Sequence, residues 1–137
     1  MKRVELNPKG NFDLWDAKKI DELERAEFSE NLTKDLIVDN EHVSIWKMIL
    51  WPGQRLPFTK HKYPFVLGCI RGGIAISRFA SGKIDLLSFV EGGTCYQEPR
   101  EGSSIQDLEN IGPDVIEMKI LQFKDSPNSW LRAMRVS

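Results

Sequence analysis

The chain has 137 residues, 41% hydrophobic and 28% charged, a balance that suits one globular domain with one hydrophobic core rather than a disordered chain. Its 19 basic and 20 acidic residues leave a formal net charge of −1. That lacks the basic excess needed to displace counterions from phosphates, so nucleic-acid binding is not expected. No apolar run approaches the roughly 18 residues of a membrane-spanning helix. Met1 to Leu6 runs into Asn7-Pro8-Lys9-Gly10 without the apolar core of a signal peptide, so the expectation is a cytosolic protein.

In chain order, Lys2 to Leu6 reads as a short edge strand ended by the Asn7-Pro8-Lys9-Gly10 turn. Asp16 is a natural N-cap for a helix through Ala26, with Ile20, Leu23 and Ala26 recurring along one face. From Lys34 the period becomes two. Strands are predicted at Asp35–Val38, His42–Leu50, Pro64–Ile70, Ile74–Phe79, Lys83–Val90, Thr94–Glu98, Ser104–Asn110 and Val115–Lys124. Turn chemistry separates them: Asp39-Asn40, Trp51-Pro52-Gly53, Gly72-Gly73, Ser81-Gly82, Gly92-Gly93 and Gly112-Pro113-Asp114. In the last strand Ile116, Met118 and Ile120 alternate with Glu117 and Lys119, giving one apolar face. Lys83–Val90 reads the same way, Ile84 and Leu86 inward and Lys83 and Asp85 outward. Many short strands at this spacing point to an antiparallel sandwich or barrel. The expected organisation is a strand and helix over residues 1–33 packing on a barrel of residues 34–124, with a tail over 125–137 fastened by Trp130.

Cys69 and Cys95 are too few for a disulfide framework and are expected to be buried and inert. The chain has only two histidines, and His42, opening a strand after a turn, should face solvent.

From Gly53 to Gly72 the sequence resembles the first motif of the cupins: a Gly, five residues, His-x-His, three or four residues, Glu, six residues, Gly. Gly53, Thr59, His61, Phe65 and Gly72 take those positions without a gap. The second motif is matched by Gly93, Pro99 and Asn110, with Gly102 one residue late. Counting back from Asn110 puts Gln106 at the third His position, while counting forward from Gly102 puts Ile105 there. The resemblance, over residues 34–124, implies an all-β, cupin-type jelly-roll β-barrel with a short N-terminal helix. It also implies a homodimer and a pocket within the barrel.

Cupins that work as metalloenzymes present three His and one carboxylate to a divalent ion. Here Thr59 and Phe65 replace two of those ligands, and they do not supply the strong donor electrons that imidazole and carboxylate give a divalent metal. A metal-free interior is the favoured expectation. The alternative is a weakly bound divalent metal on His61 and Gln106, helped by Glu98 or Asp107. Alternation along a strand would turn Thr59, His61, Tyr63 and Phe65 inward with Gln106, a mixed polar and aromatic lining. His61 then has three readings: a core histidine satisfied by hydrogen bonds, a ligand-binding or acid/base residue, or a metal ligand. Tyr63 beside it would supply the second group of a catalytic acid/base pair, as in some metal-free sugar epimerases of the cupin superfamily. Arg55, Lys60 and Arg100 flank the motifs and, if they converge, would clamp an acidic group.

Three functions compete. The favoured one is a binding module whose largely metal-free pocket takes a small polar or acidic ligand, a sugar derivative being one such class. The second is an enzyme, either a metal-free isomerase or epimerase through His61 and Tyr63, or a metal-assisted one through His61 and Gln106. The third is an assembly protein whose barrel is merely a packed core.

Overall fold

The computed structural model describes residues 1–33, 35–100 and 104–125. The predicted Trp130 anchor and the second-motif Gly102 lie outside them. Ten strands and one helix follow in the order β1 (Lys2–Asn7), α1 (Ala17–Arg25), β2 (Asp35–Asp39), β3 (Val43–Leu50), β4 (Arg55–Lys60), β5 (Phe65–Arg71), β6 (Gly73–Arg78), β7 (Ile84–Phe89), β8 (Thr94–Gln97), β9 (Ile105–Asn110) and β10 (Ile116–Phe123). They form two antiparallel five-stranded sheets, ordered β1-β7-β6-β9-β4 and β2-β3-β10-β5-β8. The inward faces enclose one core, with Met48, Leu50, Ile116 and Met118 at its centre and Leu87 and Phe89 opposite.

The helix starts where its capping chemistry places it. The Asp16 side chain accepts from the Lys18 N–H, and Ala26 ends the helix in the left-handed region. No residue of α1 is buried: Ile20 and Leu23 are half-buried, and Ala26 at the C-cap is exposed. The firm attachment is polar, through Glu22 to Arg55 on β4. Ahead of the helix, Trp15 stacks on Phe58 with ring centroids 6.1 Å apart and donates its indole N–H to the Gly82 carbonyl at 2.9 Å.

Alternation alone missed β4. Leu56 pairs with Leu108 and Thr59 with Gln106, so β4 carries one extra residue and bulges at Pro57. Proline has no N–H to give the ladder and is accommodated at such a bulge on an edge strand. The bulge breaks the period of two and turns both Leu56 and Thr59 toward the lumen.

The predicted faces of β7 are reversed. Asp85, Leu87 and Phe89 are buried, while Ile84 and Leu86 are only half-buried. Apolar residues stand on both faces of this strand, and the larger Leu87–Phe89 pair takes the core. Asp85 is carried inward with them and is met there by Arg3.

Two of the motif residues that survive in the sequence, Gly72 and Asn110, are structural. A Cβ on Gly72 would sit 2.3 Å from the Phe89 carbonyl oxygen, so only glycine lets β7 approach the β5–β6 junction. Asn110 is fully buried. Its amide donates to Leu50 O at 2.9 Å and Asp114 O at 2.8 Å, and its side-chain oxygen accepts from the Gly112 N–H at 3.0 Å. It thus ties the ends of β3 and β9 to the turn before β10.

Candidate functional site

The barrel is open where β4 and β8 end and β5 and β9 begin. Two connected spaces lie there. The inner one, about 70 Å³, is an apolar chamber between the sheets, walled by Met48, Leu67, Leu87, Phe89, Leu108 and Met118 among others. The outer one, a vestibule of about 420 Å³, is bordered by Arg3, Lys83, Tyr96, Gln97, Glu98 and Arg100. His61, Phe65 and Gln106 border both.

Four of the residues picked out by motif spacing therefore come together. Thr59 is buried on the chamber wall, its hydroxyl donating to the Pro57 carbonyl at 3.0 Å. Gln106 stands directly across from it on β9, its side-chain oxygen accepting from the Ser77 hydroxyl at 3.0 Å. Of the two candidates for the third His position, Gln106 is the one that borders both spaces. Phe65 is buried and tilts its ring against His61, with centroids 5.1 Å apart.

His61 is the chemically informative member. Its backbone N–H donates to Ser104 O at 2.6 Å, which holds it at the rim after β4 has ended. The ring keeps a partly exposed edge, yet Nδ1 is buried and meets no hydrogen-bond partner among the described residues. Burial alone pushes its pKa down to about 4, so the imidazole is neutral near pH 7.

Tyr63 and Arg55 are not part of this group. Residues 61–64 leave the ladder between β4 and β5, so strict alternation does not extend through them. Tyr63 borders a separate groove of about 210 Å³ with Lys60, Lys62 and Lys124, and the expected His61–Tyr63 pair is not formed. Arg55 turns away from the mouth. Its guanidinium is held by Asp107 at 2.7 Å and Glu22 at 2.6 Å and lies over the Phe58 ring. Arg100 does border the vestibule, 4.0 Å from Glu98. The cations that stand with it are Arg3 and Lys83, which sequence reasoning missed. Arg3 lies far ahead of both motifs in the chain, 82 residues from its partner Asp85, and nothing in its local sequence marks it.

The donor set does not fit a divalent metal. At the positions that the fold family uses for ligands, this chain offers one imidazole and one amide, the threonine hydroxyl being engaged and phenylalanine having no donor. Neither acid weighed as a helper completes a site. Asp107 is closed by Arg55 and by the Arg78 N–H at 2.6 Å, and Glu98 accepts from the Tyr96 hydroxyl at 2.8 Å. Among the described residues no group of three His, Cys, Asp or Glu side chains converges.

His42 is exposed, as expected, and its pKa is raised by the hydrogen bond to Asp125. Cys69 is buried and its thiol pushed up by that burial, whereas Cys95 is only half-buried and reaches the vestibule. No helix among the described residues is long and apolar enough to cross a membrane.

No protein-family model matches the chain, and no curated protein matches its sequence. Solved structures do match its shape. A cupin domain from Bordetella pertussis Tohama I is 13% identical with a TM-score of 0.58, over 69% of this chain and 100% of its own. An RmlC-like cupin family protein with a double-stranded β-helix fold, from Methanocaldococcus jannaschii, is 19% identical with a TM-score of 0.51, over 71% of this chain and 84% of its own. An uncharacterized conserved protein with a double-stranded β-helix domain, from Klebsiella pneumoniae, is 15% identical with a TM-score of 0.51, over 72% and 85%. The protein has the cupin jelly-roll fold, as the motif spacing implied. Identities this low carry shape and not chemistry.

Proposed function

We propose that the barrel is a metal-free binding site for a small molecule with a polar head and an apolar body. The observation that carries this reading is the junction at His61. There an apolar chamber and a polar vestibule meet at a neutral imidazole whose buried Nδ1 meets no partner among the described residues. A buried polar atom without a partner costs about 1–3 kcal/mol, so a ligand that hydrogen-bonds to it recovers that loss on binding. Ligand sites of this kind pair a mostly apolar wall with a few convergent polar groups.

The composition of the chamber favours an amphiphile over a sugar. Its wall is mostly leucine, methionine and phenylalanine, with Thr59, His61, Gln97 and Gln106 among the few polar members, too few to partner the hydroxyls of a buried polyol. Binding is also better supported than turnover. An acid/base reaction of the epimerase kind needs groups on opposite sides of the substrate, and Tyr63, the expected second group, borders another groove.

A fragment screen followed by ligand- and protein-observed NMR tests the reading. Bound fragments should perturb the methyl groups of Leu67, Leu87 and Met118, and His61→Ala should weaken binding about tenfold. Fragments that bind only outside the barrel, or that bind the His61→Ala protein unchanged, would overturn it.

A further inference from the structure

At the barrel mouth two cations share one buried carboxylate. Arg3 stands opposite Leu87 in the β1–β7 ladder, so it faces the lumen, and Asp85 lies two residues along the same face. Arg3 donates to Asp85 Oδ2, and Lys83 Nζ lies 3.4 Å from that same oxygen. Both cations sit above Phe79, at 5.9 and 5.8 Å from the ring centroid. Asp85 is fully buried, and its Oδ1 meets no donor among the described residues. Two positive charges against one negative leave the cluster at +1, on the wall of the vestibule. Further out, Arg100 and Glu98 offset each other 4.0 Å apart.

The chamber sets the size of what lies beyond that charge. Its volume of about 70 Å³ is near half that of the ~150 Å³ engineered cavity that holds a six-carbon ring, which leaves room for about three carbons. Arg3 borders both spaces, so charge and chamber are within reach of one small molecule.

Building on the binding reading, we propose that the ligand is a short-chain monocarboxylate. Its carboxylate takes hydrogen bonds from Arg3 and Lys83, and a tail of about three carbons enters the chamber past His61 and Phe65. A single negative charge balances the cluster. A phosphate monoester, close to two charges at neutral pH, exceeds it, and an amide leaves it unbalanced.

The full-length protein is titrated with sodium acetate, butyrate and octanoate, and with butyramide and propyl phosphate, by calorimetry and by methyl NMR. Butyrate should bind about tenfold more tightly than acetate, because two further methylenes are buried. It should also bind more tightly than butyramide and propyl phosphate and at least as tightly as octanoate, with shifts at Leu87 and Met118. Lys83→Gln should weaken butyrate about fivefold and leave butyramide unchanged. Arg3→Gln, checked for folding by circular dichroism, should do the same. Butyramide or propyl phosphate binding as tightly as butyrate, or octanoate more tightly, overturns the monocarboxylate assignment and leaves the binding reading standing. If none of these probes binds while a screened fragment still occupies the lumen, the assignment alone falls. If the fragments fail as well, both fall.

Discussion

Replacing His61 with phenylalanine keeps a ring against Phe65 and removes the ionisable group, so it isolates how much the buried imidazole makes the fold depend on pH. In the unfolded chain this histidine protonates near pH 6.5, and in the folded protein burial holds it at about 4. Above about pH 6.5 both states carry a neutral ring and nothing is lost. As pH falls from there toward 4 the unfolded chain takes up a proton that the folded one refuses, and stability drops. The full span corresponds to about 3 kcal/mol, and the part between pH 7 and pH 5 to about 2 kcal/mol. In urea, with a slope of about 1–3 kcal/mol per molar, the midpoint of the wild-type protein should fall by about 1 M more than that of His61→Phe over that interval. The comparison cancels the carboxylates that both proteins share. Equal midpoint shifts in the two proteins would refute the reasoning, because the His61 ring would then be reached by water in the folded state.

Three further predictions follow from groups whose partners are fixed. Asn110→Ala removes three hydrogen bonds, one buried and two part-buried, and should cost about 3 kcal/mol in urea unfolding, with the slope unchanged. Gly72→Ala should cost about 3 kcal/mol or more, because the new methyl meets the Phe89 backbone. Gly53→Ala, at φ +80° in open space, should cost only about 1 kcal/mol, and the reverse order in thermal melts would contradict the steric account. Arg3→Met leaves the Asp85 carboxylate with Lys83 alone and should cost about 3 kcal/mol, most of it returned when Asp85→Leu is added. A double variant no better than the single one would show that the ion pair is not what Arg3 contributes.

The local elements were legible because local chemistry sets them. Asp16 could cap a helix whatever lay beside it, and Ile116, Met118 and Ile120 alternate with charges cleanly enough to name the buried face of β10. The spacing of Gly53, His61, Gly72 and Asn110 carried the fold itself, since those glycines and that asparagine serve the barrel's turns and seams and not its ligand. Thr59, Phe65 and Gln106 reached the site for the same reason.

Tertiary structure decided what period and spacing could not. On β7 both faces are apolar enough to be buried, and only the packing of Leu87 and Phe89 against the opposite sheet chose the one that takes Asp85 inside. Tyr63 left the pocket because β4 ends at Lys60, and Arg55 left it because Asp107 and Glu22 hold it on the outside. Arg3 entered the site through the pairing of β1 with β7, which brings it to Asp85 across 82 residues of chain, a contact with no local trace in the sequence. Periodicity and motif spacing report on neighbours along the chain. The charge at the barrel's mouth comes from residues that only folding makes neighbours.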